Sequence, residues 1–484
     1  MNSRIFTLIA FITFFSTSFA ETPLPPAEEI FKKMGFGINI GNTMEVPGNP
    51  TGWGNKFPTK TYIDSVKAAG FSTIRIPCAW DSHAKNSVIN QSWLDSVQIV
   101  VDYSIDAGLV TILNIHWDGG WLENNLTDEK KNEVNAKQKA YWTQIATHFK
   151  DYSENLLFAS ANEPATSDTN YINETKILET YHQTFVDAVR ATGGNNESRT
   201  LIIQGPSTSI DRSVEVMPVE KLPNDVIQNR LIFEVHYYDP YTYTLMNEPA
   251  NWGAIVQPQY YWGTGTNLAT GSDEVHNCGY NAWANAMGDP CTASQMETSL
   301  SKMKTNYVDK GVPVIIGEFG ANNRVGVITG SNYERHHKGR LEYYDAFMKA
   351  AYRNKVVPIA WDTGHEGENN MTIIRRQSEP DGAVFDIEVL NIMRHAYGLD
   401  DYVNIPITRI EKQSKKVPRE TLSHQGQWIF AQGTRAKIQL FDLNGNLIRE
   451  SKTTGPENRL EIEGIHAGSY VAKCGNQVLL LKVK

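Results

Sequence analysis

Eight short apolar runs recur between about residues 30 and 400, and segments of helical periodicity fall between several of them. The runs are Phe36–Gly41, Ser72–Pro77, Leu109–His116, Leu156–Ala161, Thr200–Gln204, Leu231–His236, Pro313–Glu318 and Val356–Trp361. They are mostly continuous rather than alternating, as expected of parallel strands covered on both faces. Trp93, Val97, Val100, Val101 and Ile105 mark one helical stripe; Ile177, Tyr181, Phe185 and Val189 mark a second, and Leu341, Tyr344, Phe347 and Met348 a third. Eight such strands with helices between them predict an α/β chain folded as a (β/α)8 TIM barrel rather than an open doubly wound sheet. No glycine-rich phosphate loop follows the first run, which weighs against dinucleotide binding.

The pattern breaks near residue 401. Lys412, Lys415, Lys416 and Arg419 cluster with Pro406 and Pro418, so 401–420 reads as an exposed linker. Beyond it, 421–484 reads as a small all-β module of sandwich-like strands: Ala436–Leu443, a turn at Asn444-Gly445-Asn446, Leu460–Ile465, Ser469–Ala472 and Val478–Val483. At the other end, Arg4 precedes the apolar run Ile5–Phe15 and the small residues around Ala20, the pattern of a removed signal peptide at 1–20. That run is too short to span a bilayer, and no later stretch reaches that length, so an exported protein without a membrane span is expected. The barrel would then occupy 21–400.

A net charge of −9 provides no basic field to gather phosphates, which argues against a nucleic-acid partner and leaves neutral polymers open. Cys278 and Cys291 lie close enough in sequence to close a small loop, a disulfide worth about 3 kcal/mol in the chain-entropy model. Cys78 reads as a small buried apolar residue. No cysteine has zinc-site spacing, His336-His337 reads as a solvated loop, and neither a metal nor another cofactor is expected.

Barrel enzymes carry their chemistry where strands end. Two glutamates stand there: Glu163 after the fourth run, in Ala161-Asn162-Glu163-Pro164, and Glu318 at the end of the seventh, in Gly317-Glu318-Phe319-Gly320. A carboxylate ending a buried apolar strand is costly unless paired or used. Either alone could be an ion pair closing the barrel top. Together, on strands four and seven, they face each other across the mouth.

These residues, with Gly41-Asn42-Thr43, Ile74-Arg75-Ile76-Pro77, Asn114-Ile115-His116, His236-Tyr237-Tyr238 and Trp361, resemble glycoside hydrolase family 5 over about residues 30–400. The resemblance implies a retaining endo-β-1,4-glucanase acting on cellulose-type β-glucan, with Glu163 as acid/base and Glu318 as nucleophile. Arg75 and Tyr238 would hold Glu318 charged, and His236 would support the acid end. Asn162 would bind the sugar 2-hydroxyl, His116 would touch the reacting ring, Trp361 would form its floor, and Asn42 would either support the site or merely end a strand. An endo-hydrolase of xyloglucan, mixed-linkage glucan or mannan is the enzymatic alternative; a sugar-binding barrel without catalysis is the alternative from another class. Two departures stand out. Trp117 occupies a place where many relatives carry a second histidine, and Ala159 stands where many carry a glutamate, so a buried polar partner must come from elsewhere.

Trp53, Trp80, Trp121, Trp252, Trp262 and Tyr241 fall in connections expected at the same face, and about half are expected to line a cleft. The long connection between the sixth and seventh strands, which also carries Trp283 and the cysteine pair, is either functional or a tolerated insertion. The tail, with Phe441-Asp442-Leu443-Asn444-Gly445-Asn446 and Ile465-His466-Ala467-Gly468-Ser469-Tyr470, resembles the C-terminal sorting domain of type IX secretion substrates. That implies contact with a secretion machinery and a secreted or cell-surface location on a Gram-negative bacterium; a small carbohydrate-binding or spacer module is the alternative. A monomer is expected.

Overall fold

The computed structural model describes residues 23–280, 291–403 and most of 421–483. The leader read at 1–20, the stretch 404–420 of the linker, and Trp283 lie outside the described residues. The chain divides into two compact units after Val403.

In the first unit, β1 (Gly37–Asn39), β2 (Thr73–Ile76), β3 (Val110–Asn114), β4 (Leu156–Ala159), β5 (Leu201–Gln204), β6 (Leu231–Tyr237), β7 (Val314–Phe319) and β8 (Val357–Ala360) form a closed barrel. All neighbouring pairs are parallel, including β8 with β1. One principal helix follows each strand: α1 (Lys60–Ala68), α2 (Gln91–Asp106), α3 (Lys131–His148), α4 (Tyr171–Arg190), α5 (Ile210–Val216), α6 (Ala293–Asn306), α7 (Gly330–Arg353) and α8 (Ile387–Ala396). Caps define some starts. Thr59 accepts from the Tyr62 amide at 3.0 Å ahead of α1, and Asp386 accepts from Val389 at 3.1 Å ahead of α8. The three helical stripes lie against the strands, and Val97, Tyr181 and Phe347 are fully buried. His336 and His337 are not in a loop. They lie within α7, where His336 is buried and its ring meets the Tyr260 carbonyl at 2.7 Å and the Arg324 amide at 3.1 Å. The helical period runs through a polar stretch that lacks an apolar signal, so the pair reads wrongly from composition.

Side-chain alternation along the strands sets two separate cores. Outward residues meet the helices. Inward residues near the strand starts, among them Ile112, Leu157, Ile202, Ile232, Ile315 and Ile359, form an apolar plug that a leading helix at Ala27–Met34 seals with Ala27, Ile30 and Met34. Each such aliphatic side chain stabilises the fold by about 1.5–3 kcal/mol on burial. One step further along the strands the inward residues turn polar. Arg75 follows Thr73, Asn114 follows Ile112, Gln204 follows Ile202, and Glu234 and His236 follow Ile232, all buried. The barrel therefore has a dry floor and a polar mouth.

Strand β7 departs from simple alternation. Ile315 and Ile316 pair with Glu234 and Val235 on β6, but the next partner of His236 is Glu318, leaving Gly317 as an extra residue. Without this bulge Glu318 would share a face with Ile316 and point at the helices. With it, Glu318 comes opposite His236, while Phe319 takes the outward position.

Between β6 and α6 lie a short helix at Tyr241–Thr244, a two-stranded ribbon of Ala250–Asn251 and Ile255–Val256, and a disulfide joining Cys278 to Cys291 with Cα atoms 5.8 Å apart. No helix among the described residues is long and apolar enough to cross a membrane.

The second unit holds β9 (Thr421–Gln425), β10 (Trp428–Gln432), β11 (Gln439–Asp442), β12 (Leu447–Glu450), β13 (Glu457–Glu461), β14 (Gly468–Cys474) and β15 (Gln477–Val483). They form two antiparallel sheets, ordered β9-β10-β13 and β12-β11-β14-β15. Ile429, Ala431 and Leu460 from one sheet and Leu440, Ala472, Cys474 and Leu481 from the other share one apolar core. The strand expected at Leu460–Ile465 lies earlier, at Glu457–Glu461, because the chain turns at Glu463-Gly464, where Gly464 takes φ +78°. The Asn444-Gly445 step lies outside the described residues, but β11 and β12 pair across it and the Asp442 amide reaches the Asn446 carbonyl at 3.0 Å.

Candidate active site

The polar mouth gathers charges that a dry barrel could not hold singly. Arg75, fully buried on β2, is the hub. Its Nη1 donates to Glu318 Oε1 at 2.8 Å and to Asn39 Oδ1 at 3.0 Å, and its Nη2 donates to Asn162 Oδ1 at 2.8 Å. Its Nε lies 3.2 Å from Glu234 Oε1. Burial alone would lower the Arg75 pKa, but Glu234 first and Glu318 next raise it, so it stays cationic.

His236 is the second cation. Its Nδ1 lies 2.6 Å from Glu163 Oε1 and its Nε2 3.2 Å from Glu234 Oε1. A carboxylate oxygen faces each ring nitrogen, so both nitrogens donate and the ring is an imidazolium. Burial opposes that charge, yet Glu318, Glu163 and Glu234 together push its pKa up to about 10.

Glu318 is buried. Besides Arg75 it meets the Tyr238 hydroxyl, which donates to Oε2 at 3.2 Å, and His236 Nδ1 at 3.7 Å. Burial pushes its carboxyl up, reinforced by Glu163 and Glu234 and opposed by His236 and Arg75. Glu163 follows β4 and has 46% of its side chain open to solvent. Burial of the remainder works against its charge, but the His236 hydrogen bond and nearby charge win and lower its pKa in the open site. Covering that open side with any bound group would strip water from the carboxyl and favour its neutral form. One oxygen from each of these glutamates and a His236 nitrogen lie within 4.8 Å of one another. Such spacing would suit a cation, but both His236 nitrogens already face carboxylates and Arg75 supplies the compensating charge. The pair can do acid and nucleophile chemistry on a group placed between them.

Asn162 is buried beside the pair; its amide oxygen is taken by Arg75, which turns its NH2 group away as a donor. His116, two residues beyond β3, stacks on Trp361 with centroids 5.9 Å apart and planes 18° apart. Its other neighbour is Asn114, at 3.2 Å from Nδ1. Burial, with Arg75 and His236 adding to it, keeps the His116 ring well below the ordinary histidine pKa and so neutral. Gly41 explains how Trp361 fits: a Cβ there would come 2.7 Å from both the Trp361 ring and the Asp362 carbonyl.

Two predicted residues stand apart from this cluster. Asn42 acts through its backbone: with φ +56° it turns the chain, its amide donates to Glu45, and its carbonyl accepts from Asn55 at 2.9 Å. Trp117 is 44% exposed and makes none of the hydrogen bonds of the cluster. Of the six loop aromatics, Trp80, Trp121 and Trp262 are packed into the core, whereas Trp53, Trp252 and Tyr241 are exposed; the last two rings lie 6.0 Å apart. Sequence reasoning missed Asn39, Gln204 and Glu234. Glu234 had a usable signal, since it sits inside an apolar run two residues before His236 and must share its face.

A further carboxyl, Glu123 in the connection after β3, is 1% exposed. Burial first, against the opposing influence of its own and the Asn162 backbone amides, and then the charges of Glu163 and Asp118 push its pKa up to about 7, and neither of its oxygens accepts a hydrogen bond. Because the folded value exceeds the unfolded one, its stabilising proton is fully present below about pH 4.5 and lost as pH rises through about 7. The folded state should thus lose about 3 kcal/mol between those pH values through this group, and Glu123→Gln should remove that slope. Urea unfolding at pH 4.5 and 8 measures it; equal pH dependence in both proteins would defeat the assignment.

The geometry agrees with comparisons to known proteins. A model of the cellulase family, glycosyl hydrolase family 5, matches residues 38–367. A xyloglucan-specific endo-β-1,4-glucanase of Bacteroides ovatus is 36% identical over 349 residues, covering 68% of this chain and 63% of that protein. Endoglucanase A of Paenibacillus barcinonensis is 35% identical over 376 residues, covering 72% of this chain and 86% of that protein. Among solved structures, a xyloglucan-specific β-1,4-glucanase from a ruminal metagenomic library, in complex with XXLG, superposes with a TM-score of 0.67 at 34% identity, over 78% of this chain and 98% of that one. With the family signature running through a (β/α)8 barrel whose fourth and seventh strands bring two glutamates together, the chain belongs to the cellulase family, glycosyl hydrolase family 5.

Proposed function

We propose that this protein is a secreted, retaining endo-β-1,4-glucanase that cleaves cellulose-type β-glucan by double displacement. The observation that carries the reading is the approach of the Glu163 and Glu318 carboxyls to within 4.8 Å, beside a buried arginine and an imidazolium. Retaining glycosidases hold their carboxyls about 5–5.5 Å apart, close enough for direct attack, whereas inverting enzymes leave room for a water at about 6.5–9.5 Å. Glu318, oriented by Arg75 and Tyr238, attacks the anomeric carbon. Glu163 gives its proton to the leaving oxygen. A water then attacks the covalent glycosyl-enzyme as Glu163 takes its proton back. The Asn162 amide faces the sugar 2-hydroxyl, and Trp361, held under His116, forms the floor for the reacting ring.

Xyloglucan is the second reading, because relatives at 34–36% identity are named as xyloglucan-specific. Assays on carboxymethylcellulose, xyloglucan, mixed-linkage glucan and mannan, with products sized and anomers followed by NMR, separate the readings. Rapid viscosity loss on the cellulose derivative with β-products supports the proposal. Unchanged viscosity on every polymer would leave a binding protein.

The second unit is proposed to be a sorting module that hands the protein to a secretion machinery. Deleting 421–484 should leave turnover of soluble substrate within about twofold, because the barrel has its own core. In the native host the truncated protein should stay in the periplasm. Normal export with reduced adsorption to insoluble polysaccharide would favour a binding module instead.

A further inference from the structure

The best-buried carboxylate of the mouth is neither the acid nor the nucleophile of the double displacement. Glu234 is fully buried on β6, one layer below the catalytic pair. Its Oε1 faces both cations, Arg75 Nε at 3.2 Å and His236 Nε2 at 3.2 Å, and its Oε2 accepts from Gln204 Nε2 at 2.5 Å. Gln204 is itself fixed, since its amide oxygen accepts from the Ala161 amide at 2.9 Å, just before Asn162 and Glu163. Room for this carboxylate comes from the bulged glycine of β7. A Cβ on Gly317 would lie 1.9 Å from Glu234 Oε1 and 2.6 Å from its carboxyl carbon. The residue that rotates Glu318 into the barrel is thus the residue that leaves space for Glu234.

We propose that Glu234 is a positioning residue for the reaction: from beneath the pair it orients Arg75 and His236 together and keeps both ring nitrogens of His236 acting as donors. It takes the place of the carboxylate missing at Ala159. Without Glu234, the Nε2 of His236 would have no anion to face, and a neutral ring could offer Glu163 only one tautomer in two. The groups that act on His236 are Glu163 after β4, Glu234 on its own strand, Glu318 on β7 and His116 after β3, and Arg75 on β2 and Tyr238 just beyond β6 share its carboxylates. Of the three carboxylates, Glu234 alone is shielded from substrate, so its charge persists when sugar covers Glu163. Arg75, His236 and Gln204 hold that charge against the opposing effect of burial.

The proposal rests on the retaining reading of the pair, so its test includes a probe of that reading. Glu234→Gln, Glu234→Asp and the unaltered full chain are compared by pH–rate profile and by histidine ring NMR of 13C-labelled protein. In Glu234→Gln, His236 should titrate at least two pH units lower than in the unaltered enzyme. Its kcat should fall ten- to a hundredfold with KM within threefold, and the alkaline limb of the rate should move at least one unit toward acid. Glu234→Asp, which keeps the charge, should restore the imidazolium signal and most of the limb. An unmoved limb and an unmoved His236 titration in Glu234→Gln would overturn the proposal, as would equal damage in both variants. Trapping with a 2-fluoro-glycoside runs in parallel. A covalent adduct on Glu318 with an unshifted limb defeats Glu234 alone, and no adduct defeats the retaining reading itself.

Discussion

Glu163→Gln and Glu318→Gln should each lower β-glucan turnover by on the order of a thousandfold or more while leaving the fold unchanged. Each replacement keeps the side-chain size, and in Glu318→Gln the new amide oxygen can still accept from Arg75. The stabilising network is disturbed, but the chemistry is removed. The two variants should then part company. In Glu318→Ala, azide should restore part of the rate and give a product of inverted anomeric configuration, because an external anion replaces the missing nucleophile from the same side. In Glu163→Ala, a substrate with a good leaving group needs no proton, so its first step should stay fast. For the unaltered enzyme the rate should be bell-shaped in pH, with limbs belonging to the coupled pair rather than to either residue. Loss of Glu163 should flatten the alkaline limb for good leaving groups. Near-normal turnover in either glutamine variant would remove the pair from the mechanism, and an unchanged alkaline limb in Glu163→Ala would move the acid elsewhere.

The largest loss of stability is expected at a residue that touches no sugar. Asp362, fully buried after β8, accepts from the Gly364 amide at 2.9 Å, from Ile373 and Ile374 at 2.9 and 3.0 Å, and from Arg376 Nη2 at 2.9 Å. Arg376 in turn donates to the Gly41 carbonyl at 2.7 Å and to Thr43 Oγ1 at 3.0 Å, tying the end of β8 to the turn after β1. Asp362→Ala would leave a buried guanidinium without its carboxylate and three buried amides without an acceptor. Breaking one side of such a pair costs about 3–5 kcal/mol, and urea unfolding should show a loss in that range. The double variant with Arg376→Met should lose less than the sum of the single losses, since it removes the stranded charge as well. Activity should fall too, because Trp361 is the neighbouring residue and Gly41 packs against its ring. A loss under about 1 kcal/mol in Asp362→Ala would mean that water or a rearranged loop satisfies these groups.

Much of this was legible in the chain. The eight runs mark the barrel strands to within a few residues, because a strand covered on both faces must be apolar throughout and helices must shield it. The ends of those runs point to Glu163 and Glu318, since a charge at the end of a dry strand needs a reason, and the family resemblance adds Arg75, Asn162 and His236. Their partners were harder to read. Asn39 and Gln204 are ordinary amides in short strands, and only the closed barrel puts Asn39 next to an arginine and Gln204 next to a carboxylate on other strands. Exposure of loop aromatics was not readable either: Trp121 and Trp252 occupy similar connections, yet one is in the core and the other half exposed.

The residue pattern by itself determines a parallel barrel with a polar mouth, because hydrophobic period and burial act locally along each strand. It does not determine which way Glu318 faces. Strict alternation from Ile315 would send that carboxylate outward among the helices. A single extra residue in the β6–β7 register turns it inward, opposite His236. That choice depends on Glu234, which lies on the preceding barrel strand, far from the bulge along the chain, and whose carboxyl fills the space that a side chain on Gly317 would need. The contact exists only once two strands lie side by side, so it is a property of the tertiary structure and of no segment of the sequence taken alone.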